Sequence, residues 1–99
     1  METEIRWTPA ASRDLDLAYE YLKRRNSAAA RKLMRSLLEV LDRLEKFPEI
    51  GVVSAQLQPE GMYRQIVLKP YLVVYRIIDG VVWILRFWDS RRDPEFLRI

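Results

Sequence analysis

The apolar positions change period once along this chain, and the change divides it into a helical half and a strand half. Glu4-Ile-Arg-Trp7 is a short strand-like opening. Thr8-Pro9 then reads as a helix start, with Thr as the capping acceptor and Pro where a missing N–H costs nothing. Leu15, Ala18, Tyr19 and Leu22 recur on one helical face, which predicts an amphipathic helix over residues 9–25. Asn26-Ser27 breaks it, and Ser27 is placed to cap the helix that follows. Over residues 28–46, Ala30, Leu33, Leu37, Val40 and Leu44 lead to Phe47 at alternating spacings of three and four. That is a narrow seam for packing one helix along another, and Pro48 ends it. Two helices joined by so short a turn must be antiparallel neighbours.

Residues 49–61 carry Pro, Gly, Gln and Ser without clear period, so they read as a loop with a short extended piece at Val52-Val53. Beyond them the pattern is that of strands. Residues 62–69 form one, ended by Pro70, and residues 71–78 a second, rich in β-branched and aromatic side chains. Asp79-Gly80 is a two-residue hairpin signal, because both central positions of a type I′ turn need positive φ. Residues 81–88 are the third strand, and Asp93-Pro94 opens a short terminal helix through Phe96 and Leu97. The expected order is β-α-α-β-β-β in one domain, residues 1–99. An antiparallel helical hairpin packs on a small, largely antiparallel sheet, which is an α+β fold.

A two-residue turn at Asp79-Gly80 pairs Ile78 with Val81, Arg76 with Trp83, Val74 with Leu85 and Leu72 with Phe87 on one face. The other face pairs Ile77 with Val82, Tyr75 with Ile84, Val73 with Arg86 and Tyr71 with Trp88. Both faces are mostly apolar, and one helical hairpin covers only one of them. The second face is therefore expected to be covered by something outside the chain. The pattern alone does not tell which face is which.

Composition narrows the chemistry. There is no Cys and no His in the 99 residues, so a thiol nucleophile, a disulfide and the usual neutral-pH proton shuttle are all missing. No metal site and no cofactor are expected. No apolar run approaches the ~20 residues of a membrane span, and the acidic start Met-Glu-Thr-Glu lacks the pattern of a signal peptide, so a cytoplasmic, non-membrane protein is expected. The formal charge of +3 is unevenly placed: residues 1–61 hold ten basic and ten acidic side chains, residues 62–99 seven and four. Six of those seven cations are arginine, the residue that grips phosphate or carboxylate with two hydrogen bonds.

That surplus makes the last strand and its exit the candidate site. Arg86 and Trp88 lie on the last strand, Arg91 and Arg92 just past it, and Arg64 lies in the strand over residues 62–69. These five are the candidate target- or anion-binding residues. Trp7, Tyr19, Tyr21 and Phe47 are expected in the core between helices and sheet. Arg24, Arg25, Arg31, Arg35 and Arg43 are expected on a solvated helical face balanced by Glu39, Asp42 and Glu45.

Several runs, distributed in order over the whole chain, carry a resemblance. They are Ile5-Arg-Trp-Thr-Pro-Ala-Ala11, Leu44-x-x-Phe-Pro-Glu-Ile-Gly51, Gly61-Met-Tyr-Arg64, Tyr71-Leu-Val-Val-Tyr-Arg-Ile77 and Val82-x-Ile-Leu-Arg-Phe-x-x-x-Arg-Arg-Asp93. Together they resemble the RelE/ParE superfamily, the toxin halves of bacterial type II toxin–antitoxin systems, and lie nearer the ParE branch. The resemblance implies a growth-inhibiting toxin of the kind associated with plasmid stabilisation. It also implies a cognate antitoxin, and a toxin–antitoxin hetero-oligomer. Leu72, Val74, Arg76 and Trp83 are the antitoxin-binding candidates on the uncovered sheet face.

Two activities divide that superfamily. RelE-like members cut messenger RNA in the ribosome, and ParE-like members poison DNA gyrase. For a nuclease the resemblance leaves Arg64, Glu49, Asp89 and Arg91 as catalytic candidates, with Tyr63 or Lys69 as proton donor. Leu72 stands where the nucleases usually carry arginine, Asp89 where histidine is common, and Gln58-Pro-Glu-Gly61 where lysines are common. These departures favour the non-nucleolytic branch. A third alternative is a non-toxic module that only binds its antitoxin.

Overall fold

The computed structural model describes residues 2–57, 59, 61–92, 97 and 99. Strand β1 (Ile5–Trp7) leads into helices α1 (Pro9–Arg25) and α2 (Ser27–Lys46). These are followed by the short strand β2 (Val52–Val53), β3 (Arg64–Leu68), β4 (Tyr71–Ile78) and β5 (Val81–Asp89). The five strands form one sheet in the order β1-β5-β4-β3-β2, with β1 parallel to β5 and every other pairing antiparallel. The extended piece at Val52-Val53 is thus a true edge strand. The expected terminal helix after Asp93-Pro94 lies outside the described residues. No described helix is long and apolar enough to cross a membrane.

Local signals explain the element ends. Thr8 caps α1: its hydroxyl accepts from the Ala11 N–H at 3.2 Å, with Pro9 at the first helical position. The second cap differs from expectation. Asn26, not Ser27, caps α2, its side-chain oxygen accepting from the Ala29 N–H at 3.2 Å while its own N–H closes α1 on the Leu22 carbonyl. The carboxamide reaches the N–H three residues on, so Ser27 is left as the first residue of the helix.

The helical seam works as its spacing predicts. Ala30, Leu33, Leu37, Val40 and Leu44 are all buried against Tyr71, Val73, Tyr75, Val82, Ile84 and Phe87 of the sheet. Phe47 does not continue it. It is the C-cap residue, 63% exposed, because the helix ends before its side chain can turn inward. Tyr21, also expected in the core, is half exposed on α1, whereas Trp7 packs against the core.

The hairpin carries a bulge that strict alternation does not predict. From the turn, Ile78 pairs with Val81, Arg76 with Trp83 and Tyr75 with Ile84 as expected, and Asp79 and Gly80 both have positive φ. The register then shifts: Val74 faces Arg86, Val73 faces Phe87, Leu72 faces Trp88 and Tyr71 faces Asp89. Leu85 is the extra residue. Unshifted, the strand would set Arg86 beside Val73 in the core and turn Phe87 away from it. The bulge exchanges them and avoids an interior charge with only apolar neighbours.

The helices cover the face of Tyr71, Val73 and Tyr75. The opposite face, carrying Leu72, Val74, Arg76, Trp83 and Trp88, is not bare as expected. Val74 is fully buried and Trp88 is 3% exposed, so the chain itself already closes the middle of that face.

Candidate functional site

The exit of β5 is held by α1. β1 ends at Trp7, and the chain turns at Thr8 so that α1 runs past the part of β5 that β1 does not reach. There the side chains of α1 replace a strand. The Thr8 hydroxyl donates to the carbonyl of the bulged Leu85 at 3.1 Å, and the Phe87 N–H donates to Asp14 Oδ2 at 3.1 Å. Arg86 meets the same carboxylate in a two-pronged pair, Nε to Oδ2 at 2.7 Å and Nη2 to Oδ1 at 3.0 Å. Both side chains are about 15% exposed, at 16% and 15%. The carboxylate holds the guanidinium of Arg86 above its ordinary pKa despite burial. Arg86 is therefore engaged with the fold, and its guanidinium also lies 5.4 Å from the Trp88 ring.

Arg91 and Arg92 behave differently from one another. Arg91 folds back on Asp89, with Nε to Oδ1 at 2.9 Å and Nη2 to Oδ2 at 2.7 Å, and its backbone N–H joins the same carboxylate. That side-chain bond holds the Asp89 carboxyl below its usual range, against a smaller opposing effect of burial. Arg92 instead lies over the Trp88 ring at 4.5 Å with no carboxylate partner among the described residues. A cavity of about 270 Å³ opens between α1 and this exit, lined by Leu17, Tyr21, Tyr71, Phe87 and the four charged residues 14, 89, 91 and 92. Tyr71 stacks on Phe87 at 4.7 Å, and burial raises its phenol pKa, with Asp89 adding to the effect.

Arg64 sits elsewhere. Its Nη1 donates to the carbonyls of Glu49 at 3.1 Å and Gly51 at 2.9 Å, bracing the loop after α2. Tyr75 braces the same loop from below. Its hydroxyl donates to the Pro48 carbonyl and accepts from the Gly51 N–H, both at 2.8 Å, and burial raises its pKa. A Cβ on Gly51 would stand 2.6 Å from the Tyr75 ring, which is why glycine occupies that position. Glu49 meets Arg64 through its backbone, and its carboxylate is exposed.

The four nuclease candidates thus fall into two groups. Arg64 pairs with Tyr75 and Asp89 with Tyr71, which puts the groups about 13 Å apart along β4 and on strands about 5 Å to either side of it. Tyr63 gives its carbonyl to the Ser54 N–H beside Arg64, and Lys69 is exposed at the β3–β4 turn. Of the antitoxin candidates, Leu72, Arg76 and Trp83 are half-buried, Arg6 lies 5.6 Å from the Trp83 ring, and Val74 offers no surface. Among the described residues no group of three or more acidic side chains comes together as a metal site.

Asp14 escaped the sequence reading. It is one acid on the polar side of an amphipathic helix, and nothing local marks it as the partner of Arg86. The pairing of Gly51 with Tyr75 escaped as well, although the Pro-Glu-Ile-Gly run after the helix was its visible trace.

Residues 5–94 match the model of the ParE toxin of type II toxin–antitoxin systems, parDE. The chain belongs to the ParE toxin family. It is 28% identical over 89 residues to Toxin RelE2 of Caulobacter vibrioides, a match spanning 90% of this chain and 97% of that protein. A structure of a chromosomal ParDE system from P. aeruginosa shares its fold with a TM-score of 0.70 at 21% identity, over 89% of this chain and 96% of the other. Two helices on a mostly antiparallel sheet are therefore the architecture of this ParE-family toxin, and membership of such a system implies an antitoxin partner.

Proposed function

We propose that this toxin inhibits growth by binding, with DNA gyrase as its target, and that it does not cut RNA. The observation that carries the reading is the separation of Arg64 and Glu49 from Asp89 and Arg91. Cleavage through a ribose 2′-hydroxyl needs an acceptor, a donor and cationic stabilisation around one phosphate. Two groups, one at the start of β4 and one beside its middle, on opposite flanking strands, do not supply that. Arg64 holds two backbone carbonyls through Nη1, and Arg91 closes its Nε–Nη2 fork on Asp89, so both candidates are engaged with the fold. Arg92, stacked on Trp88 at the strand exit, is the cation best placed to meet an anionic target surface.

The test is DNA supercoiling by purified gyrase with and without the toxin. Inhibition is expected, and Arg92→Ala is expected to remove it while antitoxin binding persists. Unimpaired supercoiling together with A-site cuts, mapped by primer extension on ribosome-bound message, would replace this reading with the nuclease one.

A further inference from the structure

The sheet is left open at β2, and the geometry points to that edge as the seat of an extended, acidic segment of the cognate antitoxin, added to the sheet as a further strand. β2 spans only Val52–Val53 and matches only Gln65 and Arg64 of β3. The Ser54 N–H donates to the Tyr63 carbonyl, so Tyr63 and Gln65 turn their backbone groups toward β2. By the two-residue alternation of a strand, Val67 is the next residue to do so. No described strand lies opposite it, since β2 has already ended. Its side chain is 59% exposed.

Side chains reinforce the backbone argument. Phe47, Ile50, Val52, Val53 and Val67 are five of the ten large apolar residues that the described chain leaves exposed, and all lie at this edge or in the loop leading to it. A cavity of about 300 Å³ runs beneath the edge between β3 and α2, where Val40 and Ile66 form its apolar wall and Arg43 its rim. An added strand would place alternate side chains in that cavity while its backbone met Val67. Charge selects the occupant. Arg43 has no acidic partner among the described residues, and the chain as a whole is basic. A second copy paired two-fold on β2 would bring Arg43 toward its own equivalent, whereas an acidic segment complements it.

This inference rests on the antitoxin reading, and amide hydrogen exchange separates the two. The probe is the antitoxin encoded beside the toxin, with exchange measured on the wild-type toxin alone and in the complex. The Val67 amide is expected to slow at least about tenfold on binding. Arg43→Glu is expected to weaken the complex about tenfold, mostly through slower association and a steeper salt dependence. Val67→Pro, which removes the outward N–H together with the exposed valine side chain, is expected to weaken it by a similar factor of about ten. Leu38→Ala, an exposed apolar residue on the far side of α2, should leave affinity unchanged. Binding that protects other segments while Val67 exchanges as before, or wild-type affinity in Arg43→Glu, overturns the edge assignment alone. Failure of the antitoxin to bind at all overturns the antitoxin reading and this inference with it. Should Val67→Pro not fold, wild-type exchange and Arg43→Glu decide the matter.

Discussion

At one edge of the sheet β5 outruns its short partner β1, and side chains take over the backbone groups that β1 leaves behind. The Thr8 hydroxyl donates to the bulged Leu85 carbonyl, and Asp14 accepts from the Phe87 N–H while pairing with Arg86. At the other edge β3 outruns β2 in the same way, and nothing among the described residues takes over at Val67. The difference follows from what the chain does next. After β1 it turns at once into α1, whose first turns lie against β5. The loop before β2 is instead drawn inward by Tyr75 and Arg64, away from the outer edge of β3. An edge closed by its own helix is a structural device, and an edge left open with apolar side chains is available to another chain.

The largest expected effect falls on the closed edge. Asp14→Ala would take the two-pronged carboxylate from Arg86, whose side chain is 16% exposed, and leave the Phe87 N–H without its acceptor, a loss of about 3 kcal/mol in chemical denaturation. Asp14→Asn retains an acceptor for Phe87 and is expected to cost about half as much, roughly 1.5 kcal/mol. If Asp14→Ala unfolds within about 0.5 kcal/mol of wild type, the edge is not held as described. Next comes the brace that separates the two edges. Tyr75→Phe removes both 2.8 Å hydrogen bonds of the hydroxyl and leaves the Gly51 N–H and Pro48 carbonyl unmatched, for about 2 kcal/mol. Faster amide exchange at Gly51 through Val53 should accompany it. At the open edge, Val52→Lys should change the stability of the free toxin by no more than about 0.5 kcal/mol, since Val52 is 72% exposed. A large loss there would mean that the edge is covered within the chain.

How much of this could be read from sequence depends on the range of each signal. Thr8-Pro9, the seam from Ala30 to Leu44 and Asp79-Gly80 are local instructions, complete within a few residues, and each produces the expected element. The bulge at Leu85 is only half local. Arg86 and Phe87 stand in the wrong phase for their environments, but the remedy depends on Asp14, 72 residues away, being there to receive the arginine. The same holds for the candidate site. Sequence located the arginines at the strand exit, while their partners came from α1 and from the last residues of β5. Arg91 illustrates the point. Its pairing with Asp89 spans only two residues, yet it converts an expected anion grip into a closed fork. Phe47 fails in the opposite sense, since it keeps the periodicity of a helix that has already ended.

The smallest effect concerns that fork, and it tests whether the exit of β5 is closed as its flank is. The hydrogen bond from Arg91 holds the Asp89 carboxyl below its usual range, so the folded state prefers the ionised form. Any stability this pair contributes is therefore complete above the unfolded carboxyl value of about 3.9 and is lost as pH falls through the lower folded value. Arg91 is 65% exposed, and water screens the pair strongly, so the effect belongs to the titration more than to the melting point. Carbon-detected NMR of Asp89 should give a midpoint below about 3.9 in wild type, returning toward that value in Arg91→Ala. Asp89→Asn should leave the fold intact and free the Arg91 fork, strengthening retention of the toxin on a polyanionic resin at low salt. An ordinary midpoint for Asp89 would mean that the fork opens in solution. Arg91 would then stand beside Arg92 as a second cation without a carboxylate partner among the described residues, and only the Asp14 end of β5 would remain closed.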